Sequence, residues 1–189
     1  METSAEHYQE YRQRKLDSGL AFQDFIMERL HLIGTILQPL CSREGQLKGE
    51  NLLGMEIKHD EKMRLTGNLY IEVAEKARPR EGDYVPSGIF RNDNTWLYGI
   101  GDRLEFYIFP KSTLRNCWAK RDVLGFREPP PKPTSRGFLI PAIQAEKMYA
   151  RKILFEFGGA IKTVLVGGQK TAIPLESIQT PKEFQLTLI

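Results

Sequence analysis

Between residues 54 and 76 the chain is written with a period of two, and that pattern limits its local structure more than any other stretch. It reads Gly-Met-Glu-Ile-Lys-His-Asp, then a short polar interval, then Gly-Asn-Leu-Tyr-Ile-Glu-Val-Ala-Glu-Lys. Successive strand side chains point to opposite faces, so Glu56, Lys58 and Asp60 share one face of a first strand and Glu72, Ala74 and Lys76 one face of a second. The pattern predicts strands over 46–60 and 67–75, joined as a hairpin by the turn signal Thr66-Gly67-Asn68. If the two faces coincide, carboxylates and ammonium groups converge. A turn centred near Arg64 sets Glu72 across from Glu56, and one centred near Thr66 sets it nearer Asp60; the register stays open. The plain alternative is a solvated strand face with Glu–Lys pairs across the strands, each worth about 0.2–1 kcal/mol.

Elsewhere the periods switch. Residues 21–37 carry Phe22, Phe25, Ile26, Leu30, Ile33 and Leu37 at helical spacing, with Asp24 and Glu28 on the other face and Pro39 as a stop. Residues 78–88 read as a loop, and 95–100 with 104–109 as a hairpin around Gly101-Asp102-Arg103. A helix over 112–122 with Ser112 as N-cap follows, then a Pro-rich linker through Pro129-Pro130-Pro131 and Pro133. Beyond it stand a short strand over 137–140, a helix over 141–154 opened by Pro141, and strands over 160–166 and 171–175. The aromatics of the second hairpin, Trp96, Tyr98, Phe106, Tyr107 and Phe109, read as core rather than as base-stacking platforms.

A length of 189 residues suits one domain with a single core and an appended C-terminal segment. No apolar run approaches a membrane span and the first residues lack an apolar leader core, so a soluble, cytoplasmic protein is expected. Cys41 and Cys117 have neither the spacing nor the partner histidines of a zinc site or a disulfide framework. The net charge of +3 is too small to identify a polyanionic partner, although basic residues gather over 111–127 and 132–152. There is no P-loop, no complete dinucleotide-binding glycine pattern and no Ser/His/Asp set. His59 reads as structural or solvent-exposed.

The order of elements, with an acid followed by a hydrophobic strand ending in an acid-x-lysine signature, resembles the PD-(D/E)XK nuclease superfamily. The runs Gly54 to Asp60 and Thr66 to Glu72, with Pro86-Ser87-Gly88-Ile89 ahead of a Trp-Leu-Tyr strand, are similar to small nucleases of phages and mobile elements. The resemblance covers roughly residues 20–140. It implies an α/β fold: an αβββαβ restriction-endonuclease-like core, a mixed sheet flanked by helices, over residues 1–155, with a C-terminal β-rich extension, 156–189, packed on the same domain. It also implies a metal-dependent (endo)deoxyribonuclease using Mg²⁺ or Mn²⁺, in which carboxylates hold the ion and a lysine assists the attacking water.

Two alignments of the signature are open. In the preferred one Glu72 is the signature acid, with Glu56 or Asp60 as its partner. Position 74 is then Ala where the family has Lys, so Lys58 or Lys76 would supply the ammonium. In the other, Glu56-Ile57-Lys58 is the signature and Glu50 the upstream acid. The expected site is therefore Glu56, Lys58, Asp60, Glu72 and Lys76, with Glu56, Asp60 and Glu72 as metal ligands and Glu28 as a further one from the first helix. Arg115, Lys120 and Arg121 are the expected phosphate contacts. DNA is the expected partner, with RNA left open, alongside a homodimer or a phage or recombination partner. The departure at Ala74 keeps a second class in view: a nucleic-acid-binding or assembly subunit with the nuclease fold and no catalysis.

Overall fold

The computed structural model describes residues 4–33, 54–79, 82–130, 132–167 and 172–173. Cys41, Glu50, the expected strand residues 46–53, the expected helix end at Leu37 and residues 174–175 lie outside the described residues. The chain is mixed α/β, with a mixed sheet and a smaller second sheet flanked by helices. Helix α1 (Ser4–Leu32) begins well upstream of the expected start. Its early turns contain no proline and gain a Gln13–Asp17 hydrogen bond of 2.8 Å across one turn, which lets the helix run ahead of its apolar stripe. The later turns bury Phe22, Phe25, Ile26 and Leu30.

Strands β1 (Met55–His59) and β2 (Asn68–Glu75) do not form the expected hairpin. β1 pairs in parallel with β4 (Leu97–Gly101), Glu56 opposite Tyr98. β2 pairs antiparallel with β3 (Val85–Pro86) and β6 (Ser135–Pro141), in another sheet. Between them a single helical turn, α2 (Met63–Thr66), anchored by buried Met63, ends on Gly67 in the left-handed conformation (φ 67°) and carries the chain across. The burial patterns explain the separation. Met55, Glu56 and Ile57 are buried on both faces of β1, as in a parallel strand covered on both sides, whereas β2 alternates buried and half-buried residues like a strand with one polar face.

The large sheet has the order β1-β4-β5-β7-β8-β9, with β5 (Glu105–Pro110), β7 (Arg151–Phe155), β8 (Ile161–Val166) and β9 (Ala172–Ile173) all antiparallel to their neighbours. The hairpin β4–β5 stands where the sequence pattern sets it, and Tyr98, Phe106, Tyr107 and Phe109 are core; Trp96, just outside β4, is 62% exposed. Helix α3 (Lys111–Ala119) starts directly after Pro110 without a side-chain cap, ahead of the expected Ser112 cap, and is followed by the short α4 (Arg121–Leu124). The expected helix over 141–154 shrinks to one turn, α5 (Ala142–Ala145), because Arg151–Phe155 is recruited as β7 along the edge of β5. Local helix preference is worth little against a full strand ladder.

Two apolar layers result. On one face of the large sheet α1 packs through Phe22, Phe25 and Ile26 against Met55, Ile57, Phe106 and Ile108. On the other, Tyr98, Ile100, Tyr107 and Phe109 meet Leu69, Ile71 and Val73 of β2, Phe138 and Ile140 of β6, and Leu114 of α3. Glu56 and Lys58 alternate with Met55 and Ile57, so they face the second layer, toward β2. Among the described residues no helix is long and apolar enough to cross a membrane.

The close approach at Gly99 gives a direct check on this packing, since a Cβ there would lie 2.3 Å from Cζ of the buried Phe106 ring. Gly99→Ala is expected to lower the unfolding free energy by about 1–3 kcal/mol by overpacking. In a Phe106→Leu background the same change should lose clearly less; simple additivity of the two in urea denaturation would contradict the ring placement.

Candidate functional site

Glu56 is the least expected residue of the interior, a carboxylate with 0% exposure in the middle of β1. Two lysines hold it. Lys58 Nζ lies 2.9 Å from its Oε1 and Lys111 Nζ 2.9 Å from its Oε2. Lys111, 2% exposed, sits at the first position of α3 and also donates to Gly88 O at 2.9 Å and to the Thr95 hydroxyl, with Asp93 Oδ1 at 3.7 Å. Among the described residues Asp93 Oδ2 has no hydrogen-bond partner. Burial alone raises the Glu56 pKa, but the charges of Lys58 and Lys111 overcome it and bring the carboxyl down to about 2. It is a carboxylate at every ordinary pH.

Lys58 also faces the second acid, with Glu72 Oε1 3.7 Å from its ammonium nitrogen. Glu72 lies on the outward face of β2 and is held by two hydroxyls, Ser87 Oγ donating to Oε1 at 2.8 Å and Ser135 Oγ to Oε2 at 3.0 Å. Its backbone N–H approaches the buried Tyr98 hydroxyl at 3.4 Å, and burial pushes the Tyr98 pKa well up, so that group stays protonated. Gly88 makes the Ser87 contact possible. It adopts φ 53°, and a Cβ there would lie 2.3 Å from the Glu72 carbonyl oxygen, so only glycine lets the 3₁₀ turn Gly88–Phe90 pass so close to β2.

Asp60 stands just beyond β1, where its Oδ2 accepts the Tyr70 N–H at 3.0 Å and its Oδ1 the Lys62 N–H at 3.2 Å. The Tyr70 hydroxyl meets Ser135 Oγ at 3.0 Å, and Lys132 Nζ lies 3.5 Å from the Tyr70 ring centroid. Desolvation lowers the Lys132 pKa, and the negative charges of Asp60 and Glu72 oppose that shift. Glu56, Lys58 and Glu72 thus form one run of charges between β1 and β2, with Asp60 just beyond β1 bonded to the β2 backbone at Tyr70.

The other expected residues stand apart from this group. Glu28 is 71% exposed and paired with Arg29 on α1, which covers the opposite face of the large sheet. Lys76 lies over the Tyr84 ring at 4.7 Å. The Arg115 guanidinium donates to Ile89 O at 2.6 Å, and Arg121 is bound to Trp118 O and faces Glu128 at 3.8 Å, so both are engaged within the protein; Lys120 is exposed at the end of α3. His59 stacks on Phe22 with centroids 4.3 Å apart, which makes it part of the helix-side core. Lys111 and Lys132 stand in the sequence only as members of basic runs and Ser87 within the run Pro86-Ser87-Gly88-Ile89, whereas Asp93 and Ser135 have no local signature. Among the described residues no three His, Cys, Asp or Glu side chains come close enough to hold a metal ion. No family model, no curated protein and no solved structure matches the chain.

Glu56 has no exposed oxygen to offer an ion. Asp60 and Glu72 differ from it: their partners are neutral amides and hydroxyls apart from Lys58, and a carboxylate with about four lone-pair sites has room beyond two such bonds. One or two carboxylates with retained waters satisfy Mg²⁺, so the donor set fits that ion through Asp60 and Glu72 rather than through three convergent acids.

Lys111→Met leaves the Glu56 charge with one cation and is expected to lower stability by about 3–5 kcal/mol, with Glu56→Gln/Lys111→Met losing less than the sum of the single changes. Acid titration reads the same pair. A folded pKa of about 2 lies below the unfolded carboxylate value, so the Glu56 contribution is present above the unfolded pKa and is lost as the pH falls through the folded one. Urea midpoints of Glu56→Gln should be lower than wild type at neutral pH and should fall less steeply as the pH drops from the unfolded carboxylate range toward 2.

Proposed function

We propose that the protein is a metal-dependent phosphodiesterase that hydrolyses DNA. The observation that carries this reading is the Lys58 ammonium held between a buried acid, Glu56 at 2.9 Å, and a solvent-reaching one, Glu72 at 3.7 Å, with Asp60 beside them. A phosphodiester centre needs an acid that can bind a cation, a second acid nearby and a fixed positive charge where the phosphorane gathers negative charge. Glu72 and Asp60 would hold Mg²⁺ or Mn²⁺, which when bound neutralises phosphate charge and lowers the pKa of a water. Glu56 keeps Lys58 protonated and aimed, since a permanent carboxylate at 2.9 Å favours the ammonium form. Ser87 and Ser135 orient the Glu72 carboxylate. Lys58 therefore takes the role left open by Ala74, from a neighbouring strand in a different sheet.

On this reading α1, β1, β4 and β5 with β2 are a rearranged restriction-endonuclease-like core, its acids divided between two sheets, and the protein works where DNA is, in the cytoplasm. A homodimer or a phage or recombination partner would join at surfaces away from these residues. One observation favours a second reading, a nucleic-acid-binding or assembly subunit without catalysis: the acid of β1 is already neutralised by two lysines.

Supercoiled and single-stranded DNA incubated with Mn²⁺, Mg²⁺ or EDTA separates the two. The expected outcome is cleavage that requires metal, is abolished in Glu72→Gln and falls about 10²-fold or more in Lys58→Met, the size of losing one positioned charge-stabilising group. Retention of DNA without cleavage in any metal would transfer the conclusion to the binding subunit.

A further inference from the structure

We propose that the outer face of the small sheet is the path of a single polynucleotide strand, with Tyr70 and Tyr84 stacking on bases and Lys132 and Lys76 meeting phosphates on the way to Glu72. The inference rests on the phosphodiesterase reading and names its substrate class. The two faces of this sheet differ sharply: Leu69, Ile71, Val73, Phe138 and Ile140 seal the inner one, whereas the outer one carries two half-buried tyrosine rings whose open sides are covered by ammonium groups. Lys132 Nζ lies 3.5 Å from the Tyr70 centroid and Lys76 Nζ 4.7 Å from that of Tyr84. Among the described residues neither lysine has a carboxylate within ion-pair distance, while Arg136 nearby is committed to Glu128.

The rings are tied to the site by a continuous set of contacts. The Tyr84 hydroxyl donates to Lys132 O at 2.7 Å, the Tyr70 hydroxyl meets Ser135 Oγ at 3.0 Å, and Ser135 Oγ donates to Glu72 Oε2 at 3.0 Å. Gly137, opposite Glu72 across β2–β6, lets the Tyr70 ring lie down over β6, since a Cβ there would come within 2.9 Å of its Cζ. A base that stacks on either ring takes the place of the ammonium over it and leaves that ammonium to meet the adjoining phosphate, and every base has a π-face, so the surface is tolerant of sequence. A duplex hides its base faces and would leave both rings without use. Its bulk would also keep its phosphates from Glu72, whose side chain is only 16% exposed.

The test is fluorescence anisotropy of the full chain in EDTA, with labelled oligo(dT) and a hairpin duplex of equal length as probes. The expected result is oligo(dT) bound at least about 10-fold more tightly than duplex, with Tyr70→Leu and Tyr84→Leu each weakening oligo(dT) by about 10-fold and leaving duplex unchanged. Lys132→Met should reduce the slope of log affinity against log salt by about 0.7, one phosphate contact on a single strand. Duplex bound as tightly as oligo(dT), or tyrosine variants that keep both the wild-type unfolding midpoint and wild-type oligo(dT) affinity, would overturn the path. If Tyr70→Leu does not fold, Tyr84→Leu and Lys132→Met decide. Because EDTA removes cleavage from the readout, a strand preference without any nuclease activity sinks the enzyme and keeps the path. Cleavage by a protein with no strand preference does the reverse.

Discussion

The Glu56–Lys111 ion pair, with both partners out of water, is the constraint around which the inter-sheet layer is arranged. Removing two charges from solvent is costly, and their attraction repays it only with close geometry and further polar partners. The protein meets that demand with Lys58 on the other carboxylate oxygen, and with Gly88 O, Thr95 and Asp93 around the Lys111 ammonium. Those partners come from β1, from the 3₁₀ turn and from the loop that follows it, and Lys111 itself opens α3. A single buried carboxylate therefore fixes how three distant stretches of chain meet, and with them where Ser87 stands beside Glu72.

From that arrangement the site gains its asymmetry. Glu56 is permanently charged and closed off, whereas Glu72 and Asp60 are bound by neutral donors and retain free lone pairs. Lys58 spans the two environments. Its charge is kept by the inner acid and presented to the outer one, which is how a lysine in one sheet can serve an acid in another. Although α2 sends β1 and β2 into different sheets, Lys58 of β1 still reaches Glu72 of β2.

Much of the local structure was readable from residue order. The stripe Phe22, Phe25, Ile26 and Leu30 marks the buried face of α1, and the alternation Leu69, Ile71 and Val73 marks the inner face of β2 with Glu72 facing outward. The hairpin β4–β5 announces itself through Gly101-Asp102-Arg103 between aromatic alternations. Less was readable where local preference lost to long-range pairing, as at 151–155, where a helical start at Pro141 gives way to a strand beside β5. Lys111 and Lys132 are marked in the sequence only as members of basic runs, because their places exist only through Glu56 and through Tyr70, each many residues away.

By itself the sequence determined which side chains along each element turn inward and which carry charge outward, because a period of two or of 3.6 is a property of neighbouring residues alone. It also determined that acids and lysines would be concentrated between Gly54 and Lys76. Only the tertiary structure decided that β1 and β2 belong to different sheets, that Glu56 is a buried anchor while Glu72 reaches solvent, and that Lys58 lies between them. A strand's pattern states which face it must bury but not which strand will cover it. That choice was settled by the packing of two apolar layers against one large sheet, and by the need of one buried carboxylate for two lysines.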